Sequence, residues 1–315
     1  MTVMSNEERE FEAQRPRLFA LAYRLLGSAS EAEDAVQDTF LRWSAADRTM
    51  IVTPAAWLTT VLTNLCLTRL TSARARRDDY AGLWLPEPVL TDSGQALDPL
   101  ETAQQRESVS MAVLVLLERL TPAQRAVFVL REAFSYSHRD IAAILDVTEA
   151  NSQQLYRRAR QHLGEAGERK PRYEASREQW HRIVDGFLDA AKTGDLATLE
   201  RMLADDVASW ADGGGKAPAA RRPIRGAARV ARYLCGLARR IDESAGIAMT
   251  KAEVNGQPAV MCTYSDHLVM VMVLALAEGR VRDVRVVVNP DKLAYLAKQM
   301  SLSVIRVPLM DFLSL

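Results

Sequence analysis

The stretch TPAQRAVFVLREAFSYSHRDIAAILDVTEANSQQLYRRARQHL, residues 121–163, decides the fold. Thr121-Pro122-Ala123-Gln124 is a helix start. The threonine hydroxyl serves as N-cap, proline sits at the first helical position where its missing N–H costs nothing, and the glutamine reaches back to the cap. Ser137 with Asp140 gives a second start, and Thr148 begins a third helix. A short helix over 137–145, a turn at Asp146-Val147-Thr148 and a basic helix after it make a helix-turn-helix. Residues 149–163 carry Gln153, Gln154, Arg157, Arg158 and Arg160, side chains suited to base edges and phosphates, while Ala159 and Leu163 face inward. Charged helix faces are common, and this helix alone passes for a solvated surface; the capped helix before it gives it weight.

Upstream, Leu18, Leu21, Ala22, Leu25 and Leu26 fall at helical spacing and Gly27 stops that helix. Ser30 with Glu33 reads as the capping box of the next, with Ala35, Val36, Phe40 and Trp43 on one side. Glu31, Glu33, Asp34 and Asp38 keep other parts of it acidic. Carboxylates do not serve DNA, so a protein partner is the functional reading of 31–43, against a plain amphipathic core helix. Pro54 opens a third helix with Trp57, Leu58, Val61, Leu62 and Leu65 as its apolar stripe. It ends in Arg69, Arg74, Arg76 and Arg77, which suit phosphates or unpaired bases, or simply favour a helix C-terminus through its dipole.

The stretch 78–105 holds Gly82, Pro86, Pro88, Gly94 and Pro99 among acids and reads as a linker without a core of its own. A second, charged linker covers 169–175. Beyond it, 178–193 and 195–204 look helical, split at Gly194-Asp195. The valine-rich runs 260–277 and 281–288, joined by Glu278-Gly279-Arg280, read as a β-hairpin, so the last domain is α+β.

The chain has 315 residues, enough for two or three domains, and 48% of them are hydrophobic, which is ordinary for a globular protein. The formal net charge is +0, so a nucleic-acid reading rests on local basic faces and not on the average. Cys66, Cys235 and Cys262 form neither a zinc-type spacing nor a disulfide framework, which fits a reducing cytoplasm. The polar, acidic N-terminus does not read as a signal peptide, and the most apolar run, Leu268 to Ala277, is too short to span a bilayer. A soluble cytoplasmic protein without a membrane partner is expected.

Taken together, PRLFALAYRLLGSASEAEDAVQDTFLRW, PAAWLTTVLTNLCLTRL and LERLTPAQRAVFVLREAFSYSHRDIAAIL resemble RNA polymerase sigma factors of the extracytoplasmic-function type. The resemblance covers most of the first 165 residues. It implies that 1–77 is the domain that grips the β′ clamp of core polymerase and opens the −10 promoter element, that 78–105 is the inter-domain linker, and that 106–168 reads the −35 element beside the β flap. By position, Asp34, Gln37, Asp38, Phe40 and Arg42 fall where the family meets the clamp. The loop 47–53 falls where it captures a flipped base. Asn64 and Arg69 lie on the helix that meets −10 DNA, and Gln153, Gln154, Arg157 and Arg158 match the −35 positions. The chain departs from the family at Thr68 (usually Asp), near Thr71 (usually Arg) and at Ser152 (commonly Val), which bears on base preference and packing.

WLPEP (Trp84, Leu85, Pro86, Glu87, Pro88), DGGGK (Asp212, Gly213, Gly214, Gly215, Lys216) and NPDKL (Asn289, Pro290, Asp291, Lys292, Leu293) recur in the subgroup with a SnoaL-like C-terminal domain. The resemblance implies a cone-shaped α+β fold of the NTF2 type over 169–315, with a C-terminal tail, that modulates the sigma core through these motifs. The expected fold class is therefore multidomain: two all-α sigma domains, then an NTF2/SnoaL-like α+β domain. Because some relatives of that fold are enzymes, Trp210, Asp212, Asp266, His267 and Asp283 are candidate pocket groups, but a satisfied histidine near the core is the stronger reading of His267. No catalytic residue, metal or cofactor is expected, and a small-molecule ligand of the last domain is left open. The alternatives are a helix-turn-helix regulator that never joins polymerase, which leaves 31–43 unexplained, and an enzyme or ligand sensor acting through the last domain.

Overall fold

In the computed structural model the Gln124 backbone N–H donates to Thr121 Oγ1 at 3.3 Å and the Thr121 N–H donates to Gln124 Oε1 at 3.1 Å. The capping box read from the sequence thus closes in both directions, as does the one at Ser137 and Asp140. The structure describes residues 6–78, 80–91, 109–166, 177–241 and 246–304. The expected linker stretch 92–105, the linker 169–175 and the tail 305–315 lie outside these residues. The chain divides into two compact units, residues 1–79 with 93–168, and residues 80–92 with 169–315.

The first unit is helical: α1 (Asn6–Leu26), α2 (Ala29–Ala45), α3 (Pro54–Asp78), α4 (Met111–Leu117), α5 (Pro122–Glu132), α6 (His138–Leu145) and α7 (Glu149–Ala166), with a 3₁₀ turn at Arg48–Met50. Gly27, at φ +67°, ends α1 as expected. The cap of α2 lies two residues earlier than expected. Ser28, not Ser30, accepts from the Glu31 N–H, because the turn made by Gly27 leaves only one residue before the helix begins. Leu18, Leu25, Val36, Trp43, Leu58 and Leu62 form the apolar centre of α1–α3, and all are buried. Asp146, at φ +52°, takes the left-handed cap that turns the chain from α6 into α7. Ala159 is buried and Leu163 half-buried, as expected. The helix-turn-helix and the first three helices belong to one unit and touch directly: Arg125, on α5, donates to the Leu25 carbonyl at 2.8 Å.

In the second unit, α8 (Arg177–Thr193), α9 (Leu196–Met202) and α10 (Ala227–Arg240) cover one face of a seven-stranded sheet, and α11 (Pro290–Gln299) follows the last long strand. The strands are β1 (Leu203–Asp212), β2 (Ile224–Arg225), β3 (Ile247–Val254), β4 (Gln257–Tyr264), β5 (His267–Ala277), β6 (Arg280–Val287) and β7 (Ser303–Val304). They run in the order β2-β1-β6-β5-β4-β3, with β7 beside β5. β1 lies parallel to β6, and β3 through β6 form an antiparallel meander. Phe187, Leu199 and Leu234 from the helices meet Val207, Ala211 and Val284 from the sheet in one buried cluster.

The expected hairpin is present as β5–β6, but the run 260–277 is two strands. Ser265, at φ +50°, turns the chain between β4 and β5. The helix expected over 195–204 stops at Met202, where β1 takes over. Part of the expected linker is also not free chain. Leu85 and Val89 are buried, and 80–91 belongs with the second unit.

Candidate functional site

The second helix of the helix-turn-helix carries its polar residues outward. Gln153, Gln154, Arg157, Arg158 and Arg160 are all exposed, while Ser152 and Ala159 are buried. Ser152, the departure from valine, keeps its hydroxyl satisfied against His138 Nδ1 at 3.0 Å, so a polar group replaces an apolar one without an orphaned bond. The result is a guanidinium-rich face on a helix held by caps on both preceding helices.

On α2, Asp34, Gln37 and Arg42 are exposed, whereas Asp38 and Phe40 are half-buried. The Phe40 ring lies 5.0 Å from that of Phe11, so it also packs within its own module. Asn64 is exposed on α3. Arg69 is not free in the same way. It donates to Asp38 Oδ2 at 2.7 Å, and its other nitrogen lies 3.3 Å from the Glu31 carbonyl. Residues assigned by resemblance to DNA and to polymerase thus meet each other. Arg74, Arg76 and Arg77 stand in the last turns of α3, and their side chains lie outside the described residues. In the loop 47–53, Met50 is 80% and Val52 95% exposed, an unusual cost for two apolar side chains on one short loop.

The three short motifs converge. β1 ends in Asp212, the turn 213–216 follows, and α11 starts from Asn289, which caps it by accepting from the Asp291 N–H. Val288 and Asn289 both donate backbone N–H groups to the Asp212 carbonyl, which brings the end of β6 to the end of β1. The linker segment lies across this junction. The Leu85 N–H donates to Asp212 Oδ2 at 2.7 Å, and Lys292 Nζ donates to the same oxygen at 2.6 Å and to the Leu85 carbonyl. The ammonium also sits over the Trp84 ring at 4.3 Å and the Tyr80 ring at 4.6 Å. Tyr80 donates to Asp212 Oδ1 and accepts from Asn289 Nδ2 at 2.9 Å. Burial, with the Asp212 charge beside it, pushes the Tyr80 phenol far above its ordinary range, so it stays a neutral donor. Lys216 pairs with Asp291 at the surface.

Glycine is required here. A Cβ on Gly214 would lie 2.1 Å from Asn289 Nδ2, and one on Gly213 would lie 2.1 Å from the Ala217 carbonyl oxygen. Farther along the segment, Val89 and Asn255 exchange bonds of 2.9 and 3.1 Å, and the Leu90 N–H donates to Gln299 Oε1 at 3.0 Å. The Pro86 and Pro88 positions need no amide partner, which lets an extended strap lie there without unpaired donors. Tyr80, Asn255 and Gln299 were absent from the sequence reading. Only Tyr80 offered a signal, as an aromatic residue at the head of a polar linker.

The candidate pocket groups are spread over three separate places. Asp212 is engaged by Lys292 and Tyr80. Asp283 pairs with Arg285 at 3.1 Å, and that guanidinium lies 5.0 Å from the Trp210 ring centre. Burial lowers the Arg285 pKa despite its carboxylate neighbour. His267 and Asp266 meet at a turn, where the aspartate side chain is 74% exposed. Among the described residues no group of His, Cys, Asp and Glu is placed to hold a metal ion, and no helix is long and apolar enough to cross a membrane.

Comparison with known proteins follows the same division. The Sigma-70 region 2 family matches residues 11–76 and the Sigma-70, region 4 family matches 110–163. The chain is 37% identical over 298 residues, 91% of its length and 93% of the other's, to the ECF RNA polymerase sigma factor SigJ of Mycobacterium tuberculosis. It is 33% identical over 290 residues, 90% and 93% of the two lengths, to the probable ECF sigma factor SigI of the same species. The crystal structure of M. tuberculosis SigJ superposes with a TM-score of 0.71 at 34% identity, covering 90% of this chain and 97% of that one.

Proposed function

We propose a mechanism that starts from one fact: this chain belongs to the extracytoplasmic-function family of RNA polymerase sigma factors. Its partners are core polymerase and promoter DNA. In our reading, the exposed face of α2 (Asp34, Gln37, Asp38, Phe40, Arg42) docks on the β′ clamp, and the helix-turn-helix stands beside the β flap. Gln153, Gln154, Arg157 and Arg158 read the −35 element in the major groove, with Arg160 on the phosphates. Asn64, Arg69, Arg74, Arg76 and Arg77 meet −10 DNA. The loop 47–53 receives a base flipped from the stack, and the exposed Met50 and Val52 give it an apolar surface. Flipping costs a few kcal/mol, which such contacts offset. No covalent step is involved, and the chain acts in the cytoplasm.

The observation that carries this reading is the outward row Gln153, Gln154, Arg157 and Arg158 on a doubly capped helix-turn-helix. The test is initiation from a cognate promoter by purified chain and core polymerase. Arg157→Ala with Arg158→Ala should abolish the −35 footprint, and an unchanged footprint rejects those positions. Failure of the parent chain to support initiation on any promoter rejects the reading.

The C-terminal domain regulates by holding the linker. With 80–91 strapped to the junction of Asp212, Gly214 and Lys292, part of the segment that joins the two promoter readers is committed to the C-terminal domain. Removing all of 170–315 should differ in promoter activity from truncation within 289–315, and both from the intact chain. Equal activity in all three defeats this part.

A further inference from the structure

From Gly213 to Ile241 the chain has no aspartate or glutamate, yet it carries Lys216, Arg221, Arg222, Arg225, Arg229, Arg232, Arg239 and Arg240. The folded domain presents this run as a surface. In α10, Val230, Ala231, Leu234 and Cys235 are buried, which turns Arg229, Arg232 and Arg240 to the opposite side, all exposed. Arg225, on β2 just before the helix, is exposed as well. Among the described residues no ion pair or side-chain hydrogen bond ties down Arg225, Arg229 or Arg232. Ordinary surface helices mix both signs of charge, and like charges at helical spacing repel one another. The helix dipole accounts for Arg239 and Arg240 in the last turn, but it disfavours cations at the start, where Arg229 stands.

A second observation points outward. Gly236 sits on the arginine side of α10, with nothing within 4 Å of where its Cβ would be. A glycine inside a helix costs up to about 1 kcal/mol against alanine, and here no packing demands it. A side-chain-free patch between guanidinium groups suits close approach of a backbone from outside.

We propose that this face of α10 is a third DNA-contact surface, which binds the phosphates of duplex DNA without reading sequence. It rests on the reading that the chain works on promoter DNA. Arg229 to Arg240 spans about 16 Å of helix, long enough to follow several phosphates of one strand. Duplex DNA offers a charge about every 1.7 Å along its axis, so a row of arginines without a carboxylate in the run matches it in sign and always finds a phosphate within reach. Joined by the linker to two DNA-reading modules, the face needs little affinity of its own to add to theirs.

The test compares the full chain with the triple variant Arg225→Gln, Arg229→Gln, Arg232→Gln, with a triple Lys variant as the control for charge and folding. Binding to a duplex promoter fragment is measured across salt concentrations, with and without core polymerase. We expect the Gln variant to lower the slope of log affinity against log salt by roughly 2 to 3, equally on a fragment with a scrambled −35 element, and the Lys variant to restore most of it. An unchanged slope overturns the proposal. So does a loss of polymerase binding at unchanged DNA binding, which would mark the face as a site for an acidic protein. Initiation by the parent chain is scored alongside. If it is intact while the slope does not move, only this inference fails; if it is absent, the reading of the whole chain fails.

Discussion

Lys292 Nζ lies 2.6 Å from Asp212 Oδ2, and the two side chains are 9% and 0% exposed. A charge pair this dry depends on both members. Asp212→Ala takes the Asp212 carboxylate from a buried ammonium, at a cost of about 3–5 kcal/mol. It also frees the Leu85 N–H and the Tyr80 hydroxyl. We expect lower stability in urea and early amide exchange across 80–91. The pair Asp212→Leu with Lys292→Met, which removes both charges, should be more stable than Asp212→Ala alone. The reverse order would show that the pair does not act as a unit.

Gly214→Ala tests the turn against which the strap lies. Its φ of +58° already disfavours alanine by about 1–2 kcal/mol, and the new methyl displaces the Asn289 amide from Tyr80, a further loss of about 1 kcal/mol. Gly236→Ala, in a helix with open space around it, should instead raise stability by up to about 1 kcal/mol. Thermal unfolding of the two variants side by side checks both signs. A destabilising Gly236→Ala, or a neutral Gly214→Ala, contradicts the geometry.

Much of this was legible in the residues because it is local. Thr121 with Gln124, and Ser137 with Asp140, need only their own neighbours to define a helix start. Ser28 and Ser30 show the limit. Each has a glutamate three positions on, and only the turn made at Gly27 decides between them. The element β1 was hidden because Asp205 and Asp206 interrupt any strand alternation, while its support is the parallel neighbour β6 far along the chain. The burial of Leu85 and Val89 was equally hidden. Proline and glycine announced a loop, but the groups that hold it, Asp212, Asn255 and Lys292, stand more than 120 positions away. The arginine run 221–240 was present in the sequence all along and became a surface only once α10 showed which side it buries.

Cys66 and Cys262 give a pH prediction. Burial pushes both thiols from 9.0 up to about 12. Through that range the folded chain keeps protons that the unfolded chain gives up. The stability attached to these groups is complete below pH 9 and is lost as pH rises toward 12, with a slope of at most about 1.4 kcal/mol per pH unit for each. Urea midpoints measured below and above pH 9 should fall less steeply with pH in Cys66→Ala and Cys262→Ala than in the parent. In the folded chain neither thiol should react with a maleimide at neutral pH, because the thiolate is the reacting form. Parallel slopes in variant and parent would reject the burial argument.

Arg125 is a buried link between the first three helices and the helix-turn-helix. Its side chain is 4% exposed, and Nη1 donates to both the Leu25 carbonyl and Glu118 Oε1 at 2.8 Å. The carbonyl belongs to the last turn of α1, where intrahelical donors have run out, so the guanidinium supplies a partner that the helix cannot. Arg125→Ala removes it and takes the Arg125 cation from Glu118, whose side chain is only 19% exposed. The expected cost is about 3–5 kcal/mol. Glu118→Gln should cost less, since the amide oxygen still accepts. Because the bond joins two helical modules, its loss should also split their unfolding: amide exchange in α1–α3 and in α5–α7 should proceed at one common rate in the parent and at two separate rates in Arg125→Ala. If both modules of the variant still exchange together, the contact adds stability without coupling them, and the single helical unit must be held by other residues.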